Sequence, residues 1–375
     1  MKIIPVYLPQ FHSIPENDEW WGKGFTEWVN VKNGKPLFEG HNQPRIPLNR
    51  NYYDLSEVET LKWQCKIAKE HGIYGFCMYH YWFNGHLLLE KPMEMLLAHP
   101  EIDINYCISW ANHDWTDAWK ATDRRPKTLI AHDFDDEQDW VNHFNYMLPF
   151  FKDSRYINEN NKPYMIIYVP NLIGKLNKML DVWTQMAKEN GFDGLTYIYQ
   201  AAMACFDKGW DRTKFDYGMQ FHPGYVREYR NVNRINAMWF VIKHLKPVQK
   251  LVHKIKDGII NKDAHVKCQS YDKAWEEILN LRPNDKNTIP SAFVDWDNTA
   301  RMKQRGLVYT GANPETFEKY FKQLLINTRK YYHQDKIFVF AWNEWAEGGY
   351  LEPDEKYGYG YLNAIYNALQ DLNEL

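Results

Sequence analysis

KIFVFAWNEWAEGGYLEP, residues 336–353, decides how the rest of the chain is read. Ile337, Phe338, Val339, Phe340 and Ala341 make a short apolar run of β-branched and aromatic residues, the composition of a strand buried on both faces. It gives way at once to Trp342, Asn343, Glu344, Trp345, Ala346 and Glu347, with Gly348 and Gly349 behind. Two carboxylates three residues apart thus stand where a strand ends, the position at which a barrel enzyme keeps its site. On a continuing strand they would point to opposite faces, whereas a helical turn after Trp342 puts them on one side, roughly 5–6 Å apart at Cβ. Retaining glycosidases hold their two carboxyl groups about 5–5.5 Å apart. A solvated acid pair at a helix start is the bland alternative; the strand in front, the two Trp and the glycines behind favour chemistry.

Working back from this stretch, seven more apolar runs precede it, at 2–7, 73–79, 104–109, 164–169, 196–199, 215–221 and 289–294. Helical spacing lies between them, at about 54–71, 87–98, 137–151, 175–190 and 314–332, with a last helix at about 359–372. Eight strands alternating with helices predict an α/β chain folded as a (β/α)8 TIM barrel. Residues 13–51 form an elaborated first loop and 225–287 an insertion after strand 6, with helical spacing at 238–251, all within a single domain of 1–375. A doubly wound sheet is the alternative, but no glycine-rich phosphate loop follows the first run.

Nearly every run ends in an aromatic, amide, acid or His, and in a barrel these ends converge on one mouth. After run 1 come Gln10 and His12, with Tyr7 at its end; after run 2, Tyr81 and Trp82; after run 3, Trp110, Asn112, His113, Asp114 and Trp115; after run 7, Asp295 and Trp296; after run 8, Trp342, Asn343 and Glu352. These are the candidate substrate-binding residues. Glu344 and Glu347 are the first choice for catalysis and Asp295 with Asp297 the second. The rings of Trp82, Trp110, Trp115, Trp296 and Trp342 are candidate stacking platforms, and Asn112, Asp295 and Asn343 candidate hydroxyl partners.

Composition narrows the partners. Formal net charge is −3, from 45 basic and 48 acidic residues, with no basic tract, so neither nucleic acid nor an anionic membrane is an expected partner. Aromatics make up 16% of the chain, which fits a glycan or oligosaccharide ligand. No stretch approaches the roughly 18 apolar residues of a membrane span, and the N-terminus has no signal-peptide pattern. Five Cys at 65, 77, 107, 205 and 268 read as buried free thiols of a reducing compartment, so a cytoplasmic location is expected. His80, His86, His113 and His222 lack paired metal-ligand spacing, and Asp133-x-Asp135 reads as an acidic helix start. No metal and no cofactor is expected, and the oligomeric state is left open.

VYLPQFHSIPENDEWWGKGFTEW from Val6, GHNQPRIPL from Gly40, YGFCMYHYWFNG from Tyr74, SWANHDWT from Ser109 and FAWNEWAEGGYLEPD from Phe340 together resemble the WbsX family. That family is described as glycosyltransferase-like and associated with O-antigen and other surface-polysaccharide biosynthesis. It is similar in turn to the endo-α-mannosidase family of glycoside hydrolases, whose (β/α)8 fold carries a related Asn-Glu-Trp-x-Glu-Gly segment followed by Glu-Pro. The resemblance implies catalytic roles for Glu344, as base on the sugar's own 2-hydroxyl with retention, and for Glu347, as acid on the leaving oxygen, with Glu352 matching the later Glu-Pro acid. Where the hydrolases have Asn-Glu-Asn before Trp-Thr, this chain has Asn112-His113-Asp114. A retaining glycosidase-type enzyme is the preferred reading; a glycosyltransferase and a non-catalytic carbohydrate-binding barrel are the others.

Overall fold

The computed structural model describes residues 1–118, 120, 125–201, 209–230, 266–283 and 287–375. Each of the eight runs becomes a barrel strand: β1 Lys2–Tyr7, β2 Gly75–Phe83, β3 Asn105–Trp110, β4 Lys162–Ile167, β5 Thr196–Ala201, β6 Tyr217–Gln220, β7 in two pieces, and β8 Lys336–Phe340. The pieces of β7 are Thr288–Ile289 and Ser291–Phe293; between them stands Pro290, which has no N–H to give a ladder. The parallel order runs β6, β5, β4, β3, β2, β1, β8; the first piece of β7 pairs with β6 (Met219 opposite Ile289) and the second with β8 (Phe293 opposite Phe340). The ring of nine parallel pieces therefore closes through the break at Pro290.

Helices fill the outer layer. In the first loop lie α1 Pro15–Trp21 and α2 Glu27–Lys32, so that loop is partly ordered into short helices. Then follow α3 Val58–Glu70, α4 Lys91–Ala98, α5 Glu137–Phe151, α6 Leu176–Glu189, α7 Tyr271–Asn280, α8 Thr299–Met302, α9 Pro314–Asn327 and α10 Gly360–Asp371. α3 buries Leu61, Gln64, Cys65, Ile67 and Ala68 on one face, the 3.6-residue pattern that marks it in the sequence. Asp136 caps α5 by accepting from the N–H groups of Gln138 and Asp139, and Asp133 accepts from the N–H of Asp135, so those acids serve the helix start.

Two boundaries matter for the site. β2 runs four residues past the expected 79 and returns as a hairpin strand, His86–Leu88, with Tyr81 opposite Leu88; the helix expected from 87 starts only at Lys91. Because side chains alternate along a strand, Tyr79 and Tyr81 face one side while His80 and Trp82 face the other.

Of the expected insertion, residues 231–265 and 284–286, including the spacing at 238–251, lie outside the described residues. Its described part contains α7 and a strand, Lys267–Ser270, paired in parallel with Leu307–Thr310 away from the barrel. Cys65, Cys77 and Cys107 are buried free thiols as expected, but Cys268 is exposed on that outer strand; Cys205 is outside the described residues. No helix among the described residues is long and apolar enough to cross a membrane.

Candidate functional site

After Phe340 the chain leaves the ladder, and Glu344 caps a single 3₁₀ turn, Trp345–Glu347, its Oε1 accepting the N–H of Glu347 at 3.2 Å. Residues three apart eclipse on such a turn, so both carboxylates face the same way. Gly348 ends it at φ 71°, and a Cβ there would meet the Asp297 nitrogen at 3.0 Å. Only glycine permits that close approach, and the Asp297 N–H donates to the Glu347 carbonyl at 2.7 Å.

The two carboxylates share a partner absent from the sequence reading. Arg301, on α8, sends Nη2 to Glu344 Oε1 at 3.1 Å and Nη1 to Glu347 Oε1 at 3.0 Å. Its Nε donates to Glu27 Oε2 of α2 at 3.2 Å. Gln10 completes the corner: its Nε2 donates to the Tyr81 hydroxyl at 2.9 Å and its Oε1 accepts from Arg301 at 3.4 Å. Burial pushes both Glu344 and Glu347 above the usual carboxylate range, against the pull of Arg301 and with the push of the neighbouring acids. Glu347 keeps 22% of its side chain open to the cleft, against 4% for Glu344.

Above this floor is a cleft of about 400 Å³. Seven rings run around it: Trp115 to Tyr81 (5.0 Å between centroids), Tyr79 (6.5 Å), Tyr168 (6.0 Å), Phe221 (6.1 Å), Phe340 (4.9 Å) and Trp296 (5.6 Å). Trp21, Phe25 and Leu89 add to the apolar wall. The polar groups facing in are Gln10, Asn17, Glu27, His113, Asp114, Thr116, Arg301, Glu344 and Glu347. Burial holds the His113 imidazole below its ordinary value, while Asp114 accepts the N–H of His132 at 2.9 Å. Among the described residues, no group of three or more His, Cys, Asp and Glu is arranged to hold a metal ion.

The cleft thus gathers Gln10, Tyr81, His113, Asp114, Trp115, Trp296, Glu344 and Glu347 from the sequence-based set, and leaves the others behind it. Trp82 points outward from β2, donates to Asp139 at 3.0 Å and stacks on His143 at 4.7 Å. Trp110 packs on His143 and Trp183 of the helix layer, and Trp342 on Phe76, so these three rings are core rather than platforms. Asn112 and Asn343 are staples: the first bonds both backbone groups of Val169, the second both of Leu8. Tyr7 donates to Gln64 at 2.7 Å, and His12 is buried, with its pKa lowered to about 4. Glu352 accepts from Tyr53, Gln64 and Trp345 at 2.6–2.7 Å behind the cleft, where burial raises it to about 7.

Asp295 and Asp297 are also placed behind the cleft. Asp295 pairs with Arg45 at 2.8 Å, and Asp297 takes His41 at 2.9 Å, Gln43 at 2.7 Å and Thr299 at 2.5 Å, which holds it at about 2. His41, Gln43 and Arg45 come from GHNQPRIPL, so that segment clamps the first loop onto the end of β7. The sequence reading also missed Glu27, Arg301, Tyr79 and Tyr168. Alternation along β2 could have found Tyr79, as the partner of Tyr81; nothing in sequence spacing ties Arg301 or Glu27 to the β8 acids.

A closed ring of parallel strands with an acid pair past its last strand, under an aromatic cleft, defines the chain as a (β/α)8 barrel. The chain belongs to the family described as glycosyltransferase WbsX, which matches residues 3–365. It is 32% identical over 376 residues to the uncharacterized protein WxcX of Xanthomonas campestris pv. campestris (strain B100), covering 98% of this chain and 49% of that one. The chain spans about half the length of the curated relatives it matches. In fold it is similar to the GH99 endo-alpha-mannosidase from Bacteroides thetaiotaomicron, with TM-score 0.55 and 12% identity over 99% of this chain and 97% of that one. A glycoside hydrolase-like protein gives TM-score 0.53 at 12% identity, over 89% and 96%.

Proposed function

We propose that the chain is a glycan-active enzyme of the retaining glycosidase type, with Glu344 and Glu347 as the reacting acids of a single catalytic domain, 1–375. The observation that carries this reading is the pair itself: two carboxylates on one 3₁₀ turn, both bonded to Arg301, at the floor of a ring-lined cleft. A bridge through one guanidinium fits the spacing of about 5–5.5 Å in retaining enzymes better than the about 6.5–9.5 Å of inverting ones. Glu347, open to the cleft, protonates the leaving oxygen; Glu344, deeper, assists attack at the anomeric carbon. Trp115 and Trp296, at the two ends of the ring series, are the sugar platforms.

The lining carries Glu27, Asp114, Glu344 and Glu347 against Arg301, an acidic field that favours an uncharged glycan over a phosphate-bearing sugar nucleotide. Glycosyl transfer is the second reading, favoured by the description of the family. Thermal shift with neutral oligosaccharides and with sugar nucleotides separates them, since a ligand of the folded state raises apparent stability. On a glycan that binds, Glu347→Gln should spare an activated aryl glycoside of the same sugar far more than the natural linkage, because a good leaving group needs less proton donation. Glu344→Gln should impair both. Stabilisation by sugar nucleotides alone, or wild-type turnover in both variants, would overturn the reading.

A further inference from the structure

The reading of Glu344 and Glu347 as the reacting acids leaves Glu27 unexplained, and the inference below rests on that reading. Glu27 is not on the barrel: it comes from α2 of the first loop, brought over the mouth, with its side chain 7% exposed. Its Oε2 accepts from Arg301 Nε and from Asn30 Nδ2, each at 3.2 Å. Each nitrogen of the guanidinium therefore faces a different carboxylate, Nε to Glu27, Nη2 to Glu344 and Nη1 to Glu347.

Among the described residues, the surrounding charges do not restore the balance. Asp114 lines the same cleft from the loop after β3. Arg227, beyond β6, acts on Glu347 but also pairs with Glu228 at 3.6 Å. Tyr81 and Tyr168 are pushed up by burial, and His113 is pushed down, so all three stay neutral near pH 7. Among the described residues, three largely buried carboxylates thus meet on one guanidinium, where an uncompensated negative charge is costly. A proton is the cation that most readily corrects it.

We propose that Glu27 and Arg301 set the proton content of the Glu344–Glu347 pair: Glu27 occupies the Nε edge of the guanidinium, the pair has less than one full positive charge to itself, and it keeps one proton at rest. The site then begins with one acid and one base, the combination that glycoside cleavage uses. Arg301 is a positioning residue here, and the first loop, through Glu27, reports to the chemistry as well as covering it.

The test reads protonation directly, by ¹³C NMR titration of protein labelled at the Glu carboxyl carbons, with the pair's signals identified by their loss in Glu344→Gln and Glu347→Gln. Glu27→Gln should move the pair's titration down by about one pH unit and Arg301→Gln up by at least as much, because one removes a like charge and the other the opposite charge. Arg301→Lys, which keeps the charge, should stay nearest to wild type. Loosened packing alone would move every variant towards the ordinary carboxylate range. An unmoved pair in Glu27→Gln, or a downward shift in Arg301→Gln, overturns the inference. If Arg301→Gln does not fold, Glu27→Gln and Arg301→Lys decide it: a downward shift in Arg301→Lys matching that in Glu27→Gln overturns it. Wild-type turnover in Glu344→Gln and Glu347→Gln would instead sink the reading of the reacting acids, a separate result.

Discussion

The loops after β7 and β8 each carry a pair of acids within a few residues of a strand end, yet the two pairs are held differently. Asp295 and Asp297 are met by Arg45, His41, Gln43 and Thr299, and Asp297 is held at about 2 as a permanent anion. Glu344 and Glu347 share one guanidinium with a third acid and are pushed upward. Residue type and distance from the strand end do not distinguish these pairs. The supply of donors separates Asp297, met by His41, Gln43, Thr299 and Arg45 and held as an anion, from Glu344 and Glu347, which share one guanidinium with a third acid; Asp295, which shares Arg45 with Asp297, is raised by burial.

The largest expected effect separates the pairs by kind. Glu344→Gln or Glu347→Gln should cost about 10²- to 10⁴-fold in kcat on a natural glycan while leaving the melting temperature near wild type. Asp297→Asn should lower the melting temperature first. An Asp297→Asn protein of wild-type stability that has lost catalysis would break the contrast.

Next in size is the clamp. Arg45→Met leaves Asp295 buried without its cation, and removing one partner of a buried pair costs about 3–5 kcal/mol. Urea unfolding measures it, and an unchanged midpoint would mean that the first loop is held by other contacts.

Glu352 sharpens the comparison, since it has three donors and is nevertheless raised to about 7 by burial. An acid raised on folding favours the folded state while protonated, so its contribution is complete below its ordinary value of 4.5 and is lost as pH climbs through about 7. Stability should fall across that window by up to about 3 kcal/mol on this account. Glu352→Gln should flatten its part of that slope in unfolding curves taken at successive pH values; an unaltered slope would assign it to other groups.

The smallest effect concerns the rings. Trp115→Ala should weaken binding of a glycan about two- to tenfold, as loss of one stacked ring does. Trp342→Phe and Trp110→Phe should change stability and not affinity, because their rings are in the core. Calorimetry on the three variants tests the division.

The barrel was legible because its signal is repeated: eight apolar runs, each broken by polar or aromatic residues, and all eight are strands. Pro290 inside run 7 marks where the ring is interrupted. The turn of Glu344 and Glu347 was also legible, since acids three apart before two glycines share a face on a helical turn and on no strand. Ring orientation was less so. Reading run 2 as ending at 79 rather than at Phe83 concealed the alternation that turns Tyr81 inward and Trp82 outward.

The sequence by itself determined the fold class, the family and the acid pair, because periodicity and short spacings are local and survive without coordinates. Which acids burial pushes upward, which rings face the cleft, and the meeting of Glu27, Arg301, Glu344 and Glu347 were decided only by the tertiary structure. Those four residues come from three loops far apart in the chain, and a charge balance among groups joined only through space leaves no trace in sequence spacing.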